Sequence, residues 1–71
     1  MEYTINLIWD NDASVWVATS EDVPGLTLES GSFDALIERI RFAVPELLDL
    51  NGESQPGSLV FSSVRHERLA I

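Results

Sequence analysis

Ser32-Phe33-Asp34-Ala35-Leu36-Ile37-Glu38-Arg39-Ile40-Arg41-Phe42-Ala43-Val44-Pro45-Glu46-Leu47-Leu48 is the stretch whose apolar positions recur with the period of an α-helix. At about 100° per residue, Phe33, Leu36, Ile37, Ile40, Ala43, Val44, Leu47 and Leu48 gather in one arc of roughly 140°. The rest of the circle is mostly polar, with Phe42 at its centre, opposite Phe33. Ser32 offers an N-cap, Asp34 suits the positive end of the helix dipole, and Asn51-Gly52 offers C-cap chemistry. Glu38 and Arg41 are spaced to pair across one turn. Pro45 interrupts the pattern, because inside a helix proline removes a hydrogen bond and clashes with the preceding turn. The apolar arc nevertheless continues through Leu47 and Leu48. The expectation is one kinked helix, or two short ones with Pro45 opening the second.

Outward from the helix the period changes to two. Residues 3–9 and 14–20 read as strands joined by the turn residues Asp10-Asn11-Asp12-Ala13. A two- or four-residue connection would pair Leu7 with Trp16 and Ile5 with Ala18. That register collects Tyr3, Ile5, Leu7, Trp9, Trp16 and Ala18 on one face. Val23-Pro24-Gly25 predicts a type II turn, with proline presetting φ and glycine taking the positive φ that follows. A third strand is expected at 26–29, and a fourth at 59–66 after a loop rich in Gly, Ser, Gln and Pro. The order β-β-β-α-β defines an α+β fold with a mixed four-stranded sheet ordered 3-2-1-4. The last strand lies parallel to the first after a right-handed helical crossover. One helix covers one face of such a sheet. The other shows Ile8, Val15 and Val17, beside Val60 and Val64 or Leu59 and Phe61. That face needs a cover, and a second copy of the chain is the simplest. Ile8, Val15, Val17 and the outward-facing Phe42 are therefore the candidate interface residues, and a homodimer or larger homo-oligomer is expected.

Seventy-one residues bound the chain to one domain, 1–71, with an expected radius of gyration of about 11 Å. There is no cysteine, so disulfides and thiolate metal sites are excluded. No apolar run approaches the roughly 20 residues of a membrane span, and a soluble, cytoplasmic protein is expected. Twelve acids face four arginines and no lysine, for a net charge of −8. The imbalance is concentrated in residues 1–34, which hold Glu2, Asp10, Asp12, Glu21, Asp22, Glu29 and Asp34 and no base. Direct nucleic-acid binding is disfavoured, since it needs a basic stripe to neutralise phosphates. A basic protein is the electrostatic complement; solubility alone is the simpler explanation of the charge.

Residue types that carry chemistry are present without the patterns that would use them. Asp10, Asp12, Asp22 and Asp34 fall in turns or at the helix start, where turn and cap chemistry accounts for them. Asp10-x-Asp12-x-Ser14 with Glu21 at the twelfth position mimics a calcium loop, but Val15 stands where that loop requires glycine. His66 is the only histidine and no serine or carboxylate is spaced to form a triad with it. Gly25, Gly31, Gly52 and Gly57 each mark a turn and form no phosphate loop. No enzyme activity, metal or cofactor is expected. Arg39, Arg41, Arg65 and Arg68 could form a local basic strip, which keeps a nucleic-acid-associated role as the alternative, beside a purely structural one.

The run Val15-Trp16-Val17-Ala18-Thr19-Ser20-Glu21-Asp22-Val23-Pro24-Gly25-Leu26, followed by Glu29-Ser30-Gly31-Ser32-Phe33-Asp34-Ala35-Leu36, resembles the HicB-like antitoxins. The resemblance covers roughly residues 3–50 and is closest to a short, single-domain branch of unknown function. It implies a partial ribonuclease-H-like fold, assembly into dimers or larger forms, and a role in binding and masking a small basic RNA-cleaving toxin. Many such antitoxins carry a C-terminal DNA-binding domain, and a form without one is expected here.

Overall fold

A computed structural model describes residues 1–53 and 55–71. Strands β1 (Glu2–Asp10), β2 (Val15–Thr19) and β3 (Thr27–Ser30) precede helix α1 (Phe33–Leu50), and β4 (Ser58–Val64) follows it. The sheet order is β3-β2-β1-β4, with β1 antiparallel to β2, β2 antiparallel to β3, and β4 parallel to β1. This is the expected mixed α+β sheet with one crossover helix.

The hairpin register departs from the expected one by two residues. Leu7 pairs with Ala18 and Trp9 with Trp16, rather than Leu7 with Trp16 and Ile5 with Ala18. The cause lies in the turn. One carboxylate oxygen of Asp10 accepts from the backbone N–H groups of Asp12 and Ala13, and Ser14 takes a left-handed φ of 54°. Residues 11–14 thereby form the connection and Val15 opens β2 opposite Asp10. A shift of two leaves every side chain on its expected face, whereas a shift of one would have inverted β2.

The helix is continuous through Pro45. Its N-cap is Ser32, whose Oγ accepts from the N–H of Ala35. Its C-terminus closes as a complete Schellman motif: Glu53 N–H bonds Leu48 C=O, Gly52 N–H bonds Asp49 C=O, and Gly52 has φ 67°. The core joins Tyr3, Ile5, Leu7 and Ala18 of the sheet to Leu36, Ile40, Val44 and Leu48 of the helix, with Val23 and Leu26 sealing one side. The type II turn forms as expected: Leu26 N–H bonds Val23 C=O, and Gly25 has φ 87°. The Cα radius of gyration is 13.4 Å and the longest dimension 50 Å. That exceeds the compact expectation of about 11 Å, in keeping with an exposed segment of residues 65–71 beyond β4.

The corner after β2 is held by side chains. Ser20 Oγ donates to Thr4 C=O at 2.6 Å, and Asp22 Oδ2 accepts from Thr4 N–H at 2.8 Å. These two groups continue the ladder on β1 after the backbone of β2 has turned away. Asp22 is thus half-buried rather than a free acid of an exposed turn. Asp22→Ala is expected to cost about 1–3 kcal/mol by orphaning the Thr4 donor, and Glu21→Gln less than about 0.5 kcal/mol. Urea unfolding of the two variants checks this; equal effects would refute it.

Candidate functional site

The helix leaves one face of the sheet bare. Alternation along β1, β2 and β4 places Ile8, Val15, Val17, Val60 and Val64 on it, as expected. The registers Ile8–Val17 and Ile8–Val64 align three of them in a row across the strands. Ile8 is 53% exposed, Val64 44% and Val60 37%, while Val15 and Val17 are half-buried. Leu59 and Phe61, the other option for β4, pack towards the core.

Charge on this face has one sign. Among all strand residues the charged ones are Glu2, Asp10 and Glu29. Glu29 lies opposite Val17, Asp10 opposite Val15, and Glu2 opposite Ser58, so all three share the bare face. Thr4, Asn6, Thr19, Thr27 and Ser62 complete its surface. An apolar row bordered by neutral polar groups and three carboxylates is the pattern of an interface centre with a polar rim.

Phe42 is not brought to this face. It is 69% exposed on the outer side of α1, with the sheet beneath the opposite side of the helix. Its neighbours one turn away are Glu38, Arg39, Pro45 and Glu46. The four candidate interface residues therefore divide into a contiguous set of three and a single residue on the far side.

Two features were not read from the sequence. At the N-terminal end of α1, Trp9, Trp16 and Phe33 stack edge to face, with centroids 5.5 and 4.9 Å apart. The Arg65 guanidinium lies over Trp9 at 4.2 Å and pairs with Glu67 at 2.8 Å. At the other end, Tyr3, Val44, Pro45, Leu48 and Leu59 line an open apolar cleft of ≈ 180 Å³, closed at its rim by Gln55 and Gly57. Gly57 is required there, since a Cβ at that position would collide with Met1 O and crowd the Tyr3 ring. The cleft is well below the roughly 300–1,000 Å³ of a small-molecule site.

Arg39 and Arg41 have separate intramolecular contacts. Arg39 donates to Glu29 C=O at 2.9 Å, and Arg41 stands 3.9 Å from Glu38. Among the described residues, no three of His, Asp and Glu come together as a metal cluster. The calcium-loop mimic resolves into a turn, with Asp10 occupied by backbone donors and Val15 in β2. No described helix is long and apolar enough to cross a membrane.

A small acidic α+β domain with one covered and one bare sheet face is the class these features define. The chain belongs to the family described as a domain of unknown function, DUF1902, which matches residues 2–70. Among solved structures it is similar to a hypothetical protein from the extremely thermophilic bacterium Thermus thermophilus. The two are 32% identical over 100% of each chain, with a TM-score of 0.78. A comparison with curated proteins finds no match.

Proposed function

We propose that this chain is a non-catalytic interaction module that docks a small basic protein on the bare face of its sheet. The observation that carries this is the apolar row Val17–Ile8–Val64 on a face whose charged strand residues are all acidic. A second copy placed there would set Glu2, Asp10 and Glu29 against their equivalents, adding to the repulsion between two chains of charge −8. A basic partner turns the same charges into attraction and long-range steering. The resemblance of residues 15–36 to HicB-like antitoxins supplies the partner's class: a small basic RNA-cleaving toxin, masked by occlusion without chemistry. Phe42 stands outside that contact. The alternative of an arginine strip for nucleic acid is less favoured, because Arg39, Arg41 and Arg65 are engaged on separate partners.

The test is titration of the chain with small basic proteins encoded beside its gene, following both binding and RNA cleavage. Wild type is expected to bind and suppress cleavage. Ile8→Asp is expected to weaken binding by at least about 30-fold, the effect of an anchor at an interface centre. Phe42→Ser should bind like wild type. Association should slow several-fold as salt rises, because steering is screened over about 8 Å at physiological ionic strength. Binding by Ile8→Asp as tight as that of wild type would overturn the proposal.

A further inference from the structure

The two edges of the sheet are not equivalent. β3 is four residues long, carries Glu29, and has one carbonyl, that of Glu29, bonded by Arg39. These are the devices by which an edge strand is kept from pairing with another chain. β4, the opposite edge, is seven residues long and reads Ser-Leu-Val-Phe-Ser-Ser-Val. It has no charge, proline or glycine, no other described element covers it, and its outer backbone groups form a template for a further strand.

We infer that a second copy of this chain pairs with β4 through its own β4, antiparallel, and seats Leu69 and Ile71 in the first copy's apolar cleft. The inference adds a second surface to the interaction module proposed above and rests on different residues. Four observations select this occupant. First, β4 is locally neutral in a chain of charge −8, so like copies meet there with least repulsion. Second, direction: the cleft lies at the Ser58 end of β4, whereas residues 65–71 leave at the Val64 end. For one chain to fill its own cleft it must double back along β4, about 23 Å. An antiparallel copy carries its segment past the Ser58 end of β4, the end at which the cleft lies. Third, face: Leu59 and Phe61 point to the helix side, and Arg65 continues that alternation by stacking on Trp9. Leu69 and Ile71 lie beyond the strand, in the exposed segment that follows β4. They are 79% and 110% exposed, apolar groups without cover. Fourth, charge: the cleft adjoins the helix C-terminus, where Glu46, Asp49 and Glu53 stand with no basic residue in the last turn. Arg65 stays over Trp9 of its own chain and pairs with Glu67; the arriving segment brings Arg68, and a cation beside a helix C-terminus is favourable. The product is a two-fold eight-stranded sheet with both helices on one side and both bare faces on the other.

Light scattering on the full chain tests the assembly, expected at twice 7.9 kDa at tens of micromolar. Leu69→Asp with Ile71→Asp should raise the dissociation constant at least about 30-fold. Its circular dichroism should match wild type, since both positions are exposed in one chain. Spin labels then fix the geometry. Labels on Ser62→Cys should lie within about 10 Å of each other, and labels on Thr27→Cys about 34 Å apart, seven interstrand spacings. Copies stacked on their bare faces would instead bring the Thr27 labels within roughly 20 Å, sheets packing about 10 Å apart. A monomer at about 200 µM, a dimer indifferent to the two aspartates, or the short Thr27 distance would each overturn the inference. The two proposals fail separately: Ile8→Asp should weaken capture of the basic protein and leave this dimer intact, and the paired aspartates should do the reverse.

Discussion

Ile40→Ala is expected to destabilise the chain by about 3 kcal/mol, and Phe42→Ala, two residues away, by less than about 0.5 kcal/mol. Ile40 is fully buried at the centre of the stripe Leu36–Ile40–Val44–Leu48, where the one helix meets the sheet. Truncation removes three carbons' worth of burial and leaves a cavity, because the strands beneath are held by their ladder and cannot collapse onto it. A domain this small buries only about 60% of its unfolded surface. It has no second core layer to share the loss. Each kcal/mol moves the melting temperature by roughly 4–8 °C in a domain of this size, so Ile40→Ala should melt about 15–20 °C lower. Phe42 is the larger side chain, yet it contributes no core contact. Thermal melts of the two variants at low concentration decide the matter. A fall with Phe42→Ala as large as that with Ile40→Ala would mean that Phe42 is buried in an assembled form.

The fold was legible because its signals were local and of different periods. Eight apolar residues on a 3.6 repeat could only be a helix, and every one of them is buried or half-buried. Ser32, Pro24-Gly25 and Asn51-Gly52 mark their cap and turns through backbone chemistry that few other residues supply. Once three strands and a crossover helix were placed, the parallel fourth strand followed from chirality. The two-residue register offset was not legible, since it depends on Asp10 capturing two N–H groups and Ser14 accepting a positive φ. Face assignment survived because it depends only on parity. The bare face was legible in Ile8, Val15 and Val17 for the same reason. The outward side of Phe42 was legible from the helical period, which sets it opposite the apolar arc and so away from the bare face of the sheet. What periodicity could not give was the work of Ser20 and Asp22, whose partner on β1 is 16–18 residues away. The cleft beneath Pro45 brings together residues 3, 44, 48 and 59, a long-range juxtaposition with no local signature.

Pro45→Ala is expected to stabilise the chain by about 2 kcal/mol, raising its melting temperature by roughly 10 °C. Pro45 lies in the third quarter of an 18-residue helix, far inside both caps, so its missing N–H is not one of the orphan donors at a terminus. The carbonyl of Arg41, one turn back, loses its partner, and the ring crowds that turn. Both effects belong to the interior penalty of about 3 kcal/mol. Part of the gain on removal is returned, because alanine enlarges the unfolded ensemble by about 0.4–1 kcal/mol. Buried Val44 and Leu48 flank Pro45 in register with Ile40, so the helix follows the sheet on both sides of it. The last turn is also tied independently: Asn51 Nδ2 donates to Leu47 C=O at 2.7 Å and to Pro24 C=O at 3.4 Å. The substitution therefore relieves strain without releasing the helix end. The opposite outcome has a definite meaning. If straightening the helix drew Leu47 away from the turn at Gly25, Pro45→Ala would melt lower than wild type, and the proline would be the device that bends the C-terminal turns onto the core. Thermal melts of Pro45→Ala, Asn51→Ala and the double variant separate the two. Additive changes, with a rise for Pro45→Ala alone, identify tolerated strain; a loss that Asn51→Ala does not deepen identifies a required bend.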